Sequence, residues 1–181
     1  TGYAVQFLLY HADSAAETIA QEEFLAQFSV PAWIRMHNIF EKHKVRKYGE
    51  LDDILYVLAD KGLSRLIQAR LRENPSIDVR GSRYEHPLKA AMAQGHKDSV
   101  VILLGLTSRV HDGVDLTESL RSDIDSCRKN QTPLSWACEN GHLDIAKILV
   151  QKGASTQEVD LWRTVKNGHS KVVEWLINNG R

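Results

Sequence analysis

The stretch TPLSWACENGHLDIAKILVQKGA, residues 132–154, decides how the chain is read. It holds two short apolar patterns of helical period. Leu134, Ala137 and Cys138 fall on one face of the first, and Ile145, Ile148 and Leu149 on one face of the second. Thr132 stands where an N-cap belongs, and Pro133 follows at the first helical position. Gly141 and Gly153 each follow an apolar run, where a helix closes in a left-handed residue. A helix of about ten residues is marginal alone, so this hairpin needs neighbours of its own kind.

The chain contains them. The Gly141-His142 step recurs as Gly95-His96, 46 residues upstream, and as Gly168-His169, 27 residues downstream. Gly62-Leu63 lies a further 33 residues before Gly95. Aligned on these glycines, Leu55, Leu88, Leu134 and Leu161 share one position, and the second helices read SRLIQARL, DSVVILLG, DIAKILVQ and SKVVEWLI. The wording T-P-L…A…G-H…I-A-x-x-L-V-x-x-G-A resembles the ankyrin repeat, a turn plus two helices of about 33 residues. Residues 132–154 are close to its consensus, HPLKAAMAQGHKDSVVILL follows it well, and the first and last copies are degenerate. The resemblance implies an all-α solenoid of about four repeats in a domain spanning 51–181. The repeats fall at about 52–78, 81–106, 127–155 and 156–181, with an insertion at about 107–126.

Residues 1–50 do not fit the repeat. Tyr3, Phe7, Tyr10 and Ser14 form one helical stripe, with Ala4, Leu8, His11 and Ala15 beside it. A helix apolar over so much of its circumference is expected to be buried on more than one side. Residues 22–28 read as a second short helix, and Pro31 opens a third with Trp33, Met36 and Phe40 on one face. The basic run Lys42, Lys44, Arg46 and Lys47 suits the negative end of that helix dipole. The segment is expected to cap the open end of the solenoid, because terminal repeats need a covered face. YAVQFLLYHADSAAE, followed by FLAQF, AWIRMHNIF and LYVLADKGLSRLI, also resembles the junction of fungal NACHT–ankyrin proteins, which are similar to nucleotide-binding immune receptors. Tyr3, Ala4, His11 and Ala12 carry the match. That resemblance implies the sensor or regulatory arm of an NTPase switch whose ATPase domain lies outside this chain, since no GxxxxGK[ST] loop is present.

Composition narrows the function classes. Lys plus Arg equals Asp plus Glu at 23 each, so net charge makes no case for nucleic acid. Cys127 and Cys138 give no disulfide framework, which points to a reducing, cytoplasmic setting. No apolar run approaches membrane-spanning length, and no secretory leader is legible. The Thr1-Gly2 start without Met reads as a fragment, expected to be monomeric.

The copies depart from the pattern at defined places. Leu63 replaces the step histidine, and His86 stands in for the capping Thr. Thr107 sits where a stop glycine is expected, and 13 extra residues separate repeats two and three. Asp115 and Glu118 there resemble a capping box and predict an extra helix near residues 116–121. The last repeat is about six residues short of a 33-residue unit, with Arg163 for a core Leu and Thr164 for the packed Ala, as suits an outer face in water.

No catalytic constellation is legible. The Gly-His steps account for His96, His142 and His169, whose rings are expected to bond local backbone. His37 and His43 are six apart and share no helical face, and no cysteine pair has zinc spacing. Cys138 reads as an inert core thiol and Trp136 as core. No metal and no cofactor is expected. The remaining function is a non-enzymatic module that binds a protein or peptide. By the ankyrin resemblance its contacts come from the concave face: Arg80, Ser82, Arg83 and Tyr84 at one turn tip, and Arg128, Lys129 and Asn130 at the next. On the first helices they are Tyr56, Lys89, Ala93, Gln94, Ser135, Glu139, Asn140, Trp162, Lys166 and Asn167. Arg, Tyr and Trp are the types that anchor interfaces.

The alignment of repeat three makes a prediction. Ala137→Asp places an unpaired charge in the inter-helix seam and should lower stability by several kcal/mol in chemical denaturation. An unmoved midpoint would refute the alignment.

Overall fold

A computed structural model of the chain describes residues 2–77, 79–110 and 132–179. It divides into two compact units, Thr1–Leu106 and Thr107–Arg181. Regular structure among the described residues is helical, apart from one isolated antiparallel bridge between Gly81 and Glu85.

The first unit begins with α1 (Gly2–Ala15), α2 (Glu22–Gln27) and α3 (Val30–Phe40), then a single 3-10 turn, Lys44–Arg46. Two hairpins follow, α4 (Ile54–Lys61) with α5 (Ser64–Glu73), and α6 (Pro87–Gln94) with α7 (Lys97–Val110). The second unit holds α8 (Pro133–Glu139) with α9 (Leu143–Gln151), a 3-10 turn at Thr156–Glu158, and α10 (Leu161–Lys166) with α11 (Ser170–Asn179).

All four hairpins close in the same way. The amide after the turn glycine donates to a carbonyl five residues back: Leu63 to Leu58 at 2.9 Å, His96 to Ala91 at 2.8 Å, His142 to Ala137 at 2.9 Å and His169 to Thr164 at 3.2 Å. This closure needs a left-handed residue just past the helix. Gly62, Gly95, Gly141 and Gly168 supply it, with φ between +73° and +80°. Three of the four first helices are capped at their opposite ends by side chains, and α6, preceded by His86, is not. Asp53 accepts from Leu55 N at 2.7 Å, Thr132 from Ser135 N at 3.2 Å and Asp160 from Arg163 N at 3.3 Å.

Each unit has its own apolar seam. In the first, α4 packs along α6 and against α5, burying Leu55, Leu58, Leu66, Ile67, Met92 and Leu104. In the second, α8 packs on α9 and α10, burying Leu134, Ala137, Cys138, Ile145 and Leu149. Thr164 is fully buried rather than facing water, because its hydroxyl donates to the Asp160 carbonyl at 3.3 Å and needs no solvent. Arg163 does reach solvent, between Glu139 at 3.5 Å and Asp160 at 3.2 Å. α7 runs through Thr107 to Val110, as the missing stop glycine allows. The anticipated helix at 116–121 lies outside the described residues.

The N-terminal segment differs from its pattern in three respects. α1 is buried on one narrow stripe, Leu9, Ala12 and Asp13, rather than on several sides. Its aromatic residues stay largely in solvent and pack on one another, Tyr3 on Phe7 with centroids 4.6 Å apart and Phe7 on Tyr10 at 6.2 Å. α3 turns Trp33, Ile34 and His37 inward, while Met36 and Phe40 remain exposed. The helix also ends at Phe40, so the basic run lies beyond its last turn and gains little from the dipole.

α1 packs against α3 and α5, and α2 also packs on α5. One contact explains what the segment does for the first hairpin. The residue preceding α5 is Leu63, which has no side-chain acceptor for the orphan amides of the first turn. Buried Asp13 of α1 accepts from Leu66 N at 2.9 Å, capping α5 from another element. Arg65, also on α5, lies 3.8 Å from Asp13 and pairs with Glu17.

Asp13→Ala should therefore leave the buried Leu66 amide unpaired and cost about 1–3 kcal/mol. Asp13→Asn keeps an acceptor and should cost less. Equal denaturation midpoints for the wild type and Asp13→Ala would show that the cap contributes nothing.

Candidate functional site

The turn between α5 and α6 is built from residues that bind their own backbone. Gly81 N donates to Glu85 O at 2.7 Å, and Glu85 takes a positive φ of 62°. Two side chains of the first hairpin pin this turn. Asp52 accepts from Ser82 N and Ser82 Oγ, both at 2.8 Å, and from Gly49 N at 2.9 Å. Tyr56 Oη accepts from Arg83 N at 3.2 Å and Tyr84 N at 3.0 Å. Gly81 lies flat on the Tyr56 ring, where a Cβ would fall 2.2 Å from it. The tip is thus held by four hydrogen bonds to two carriers, and Arg83 is held over the Tyr84 ring at 4.6 Å.

Behind the tip, still within the first unit, lies a cavity of about 410 Å³. Its walls come from α1, α3, the 3-10 turn, α4, the tip and the end of α6. At its base the Lys61 ammonium faces three aromatic rings, Trp33 at 5.4 Å and Tyr10 and Tyr48 at 5.8 Å each. Burial lowers the Lys61 pKa, an effect partly opposed by Asp60 and Glu41. Asp60 is itself occupied: it accepts from Tyr48 Oη at 2.6 Å and from Gln94 Nε2 at 3.0 Å. Burial and the Asp60 charge raise the Tyr48 pKa, and burial pushes Tyr56 up to about 12, so both phenols stay protonated at neutral pH. His37 stacks between Trp33 and Tyr48, with centroids 4.9 and 5.0 Å away. Burial, then Lys61, holds its pKa below the usual histidine value.

Two histidines of the Gly-His steps, His96 and His169, act across repeats, whereas His142 contacts its own hairpin. His96 Nε2 lies 3.0 Å from Asp60 O, one hairpin earlier. Its ring covers Gly62 so closely that a Cβ there would sit 2.5 Å from Nδ1. His169 covers Gly141 with the same separation. His142 stacks on Trp136 at 5.6 Å, so that indole is half-buried against a ring rather than in the core.

The anticipated contact residues divide. Arg80, Ser82, Arg83, Gln94, Asn140, Trp162, Lys166 and Asn167 are exposed, with Tyr84 and Ala93 half-buried. Tyr56, Lys89, Ser135 and Glu139 are buried, contrary to expectation. Tyr56 lies under the turn it holds, Lys89 pairs with Glu85 at 3.2 Å, and Glu139 receives Arg163. Gln94, Asn140 and Asn167 direct their amides inward, to Asp60, the Trp136 carbonyl and the Glu139 carbonyl. Trp162 is the most exposed aromatic of the second unit, with Lys166 Nζ 4.9 Å above its ring. Arg128, Lys129 and Asn130 lie outside the described residues. The cavity and its Tyr48, Asp60 and Lys61 were not legible in the sequence, because they come from elements that share no motif.

A family model described as ankyrin repeats (3 copies) matches residues 54–160 and 90–181. The chain belongs to the ankyrin-repeat family. Its fold class is the all-α ankyrin-repeat solenoid. The chain is also similar to "Ankyrin repeat and KH domain-containing protein mask-1" of Caenorhabditis elegans, at 36% identity over 128 residues. That alignment covers 68% of this chain and 4% of the relative, so the chain corresponds to a small part of that protein. Among the described residues, no group of three or more His, Cys, Asp or Glu could hold a metal ion, and no helix is long and apolar enough to cross a membrane. Ankyrin repeats generally serve protein–protein interaction, and the family is typically non-enzymatic.

The pinned tip makes a prediction. Asp52→Ala removes the acceptor of three donors and should cost about 2–3 kcal/mol. The Ser82 amide should then exchange faster with solvent than in the wild type, and unchanged exchange would show that the tip does not depend on Asp52.

Proposed function

We propose that this chain is a non-catalytic binding module that takes a protein or peptide segment across the α5–α6 turn tip and the exposed edges of the first helices. The observation that carries this reading is the tip itself. Arg83 and Tyr84 stand on a backbone held by Asp52 and Tyr56, so little conformational entropy remains to be lost when a partner docks. Arg and Tyr are also the residue types that dominate interface energetics. Exposed Trp162 with Lys166 offers a second anchor of the same character. In this reading residues 1–50 are the cap of the array, with Asp13 its keystone contact. The free, buried Cys138 thiol, its pKa pushed up to about 12 by burial, suits a reducing cytoplasm, and the module acts as a monomer.

Selection from a peptide display library tests the proposal. Binders should lose at least about tenfold in affinity, or ~1.4 kcal/mol, when Arg83→Ala and Tyr84→Ala are combined. The thermal midpoint should hold, because the Tyr56 hydroxyl bonds only the backbone at these positions. Unaltered affinity would overturn the assignment of the face.

A second reading makes the module the sensor arm of a NACHT-type NTPase switch. It is favoured by α1, where two residues of the matching motif, Tyr3 and His11, meet at 3.3 Å from Oη to Nε2. A full-length protein without a phosphate-binding loop would dispose of it.

A further inference from the structure

We propose that the cavity behind the turn tip is an anion pocket, which receives an acidic or phosphorylated side chain of the peptide bound across that tip. The inference rests on the peptide-binding reading above and names the chemistry that the site selects.

The charges lining the cavity are unequal. Four cations, Lys61, Arg46, Lys47 and Arg83, face two carboxylates, Glu41 and Asp60. Both carboxylates are already engaged. Asp60 holds Tyr48 and Gln94, and Glu41 accepts from His43 N at 2.8 Å. Lys61 is in the opposite condition. It is the most enclosed of the four cations, with three rings around it, and no carboxylate among the described residues lies within 4.0 Å of it. Cation–π contact with three rings stabilises an ammonium electrostatically, but the rings offer its N–H donors no lone-pair acceptor. An enclosed ammonium with unused donors is costly unless an acceptor arrives.

Two further groups point the same way. Tyr56 Oη accepts from two backbone amides, and its own proton has no acceptor among the described residues. His37 lines the cavity and is buried, and its Nδ1 has no hydrogen-bond partner among the described residues. Its neighbour Asn38 is held by the Tyr48 backbone at 2.8 and 3.0 Å. An oxyanion entering between Lys61 and Arg83 would accept from the ammonium, the phenol and the guanidinium together. Charge-assisted bonds of this kind are about twice as strong as neutral ones. The volume suits one side-chain head group and not a whole folded element. Carboxylate and phosphate share this anion chemistry, and the experiment separates them.

Nuclear magnetic resonance titration of the whole chain with sodium phosphate and with sodium acetate, against sodium chloride at matched ionic strength, tests the pocket directly. The Trp33 indole N–H, which donates to Val5 O at 2.9 Å, is the reporter beside Lys61. Phosphate or acetate should shift it saturably and chloride should not. Tighter phosphate binding assigns a phosphorylated residue, and comparable acetate binding an aspartate or glutamate. Lys61→Met, which keeps the aliphatic stem, should weaken binding at least about tenfold. Arg83→Gln, at an exposed site where the amide bonded to Tyr56 is retained, should weaken it by about threefold. Absence of a saturable shift with either anion, or unchanged affinity in both variants, would overturn the proposal. The two readings fail separately. Display-selected peptides that lack an acidic or phosphorylated residue and bind Lys61→Met as well as wild type would sink the pocket and leave the binding module standing. Saturable anion binding without any selected peptide would do the reverse.

Discussion

A glycine held left-handed, with the histidine ring of the next repeat lying on it, is the contact from which this structure is built. Gly62 under His96 and Gly141 under His169 show it twice. The glycine reverses the chain between two helices too short to stand alone, and its missing side chain leaves the slot that the ring fills. The ring then ties its own hairpin to the last carbonyls of the preceding one, as His96 does at Asp60. Spacing and orientation of neighbouring hairpins follow from that one seat. The Tyr56 ring against Gly81 applies the same device at the turn tip, with the roles of the two repeats exchanged.

Where this contact is absent, other residues take over its work. Leu63 has no ring nitrogen to offer, and the start of α5 is completed by Asp13 from α1. Beside that helix lies a polar layer drawn from other elements of the first unit. Tyr48, Asp60, Gln94 and Lys61 form a layer that an apolar cap would not contain. Most of it is satisfied internally, as buried polar groups must be. Lys61, the Tyr56 proton and His37 Nδ1 are the remainder. The irregular end of the array is thus both a structural repair and the most chemically distinctive surface of the first unit.

The repeats were legible because their signals are local. Apolar residues three and four apart, Thr132-Pro133 at a start and glycine at a stop all act through bonds within one hairpin, and each reappears in the structure. Faces were less legible. α1 is apolar over much of its circumference, yet the narrow stripe Leu9, Ala12 and Asp13 is what is buried where the helix packs on α3 and α5. Tyr56, Lys89, Ser135 and Glu139 occupy positions that a repeat leaves open on average. Their burial depends on how near a neighbouring side chain or turn comes.

The sequence alone determined the family, the helical hairpins, their turns and the side-chain cap at Thr132. Those features are set by backbone dihedrals and hydrogen bonds over a few residues, which the residue types dictate. The tertiary structure alone decided that Asp13 caps a helix 53 residues away, that His96 binds the previous repeat, and that Lys61 lies among three rings over a cavity. These depend on side-chain atoms from separate elements meeting within a few ångströms, and no periodicity encodes that meeting.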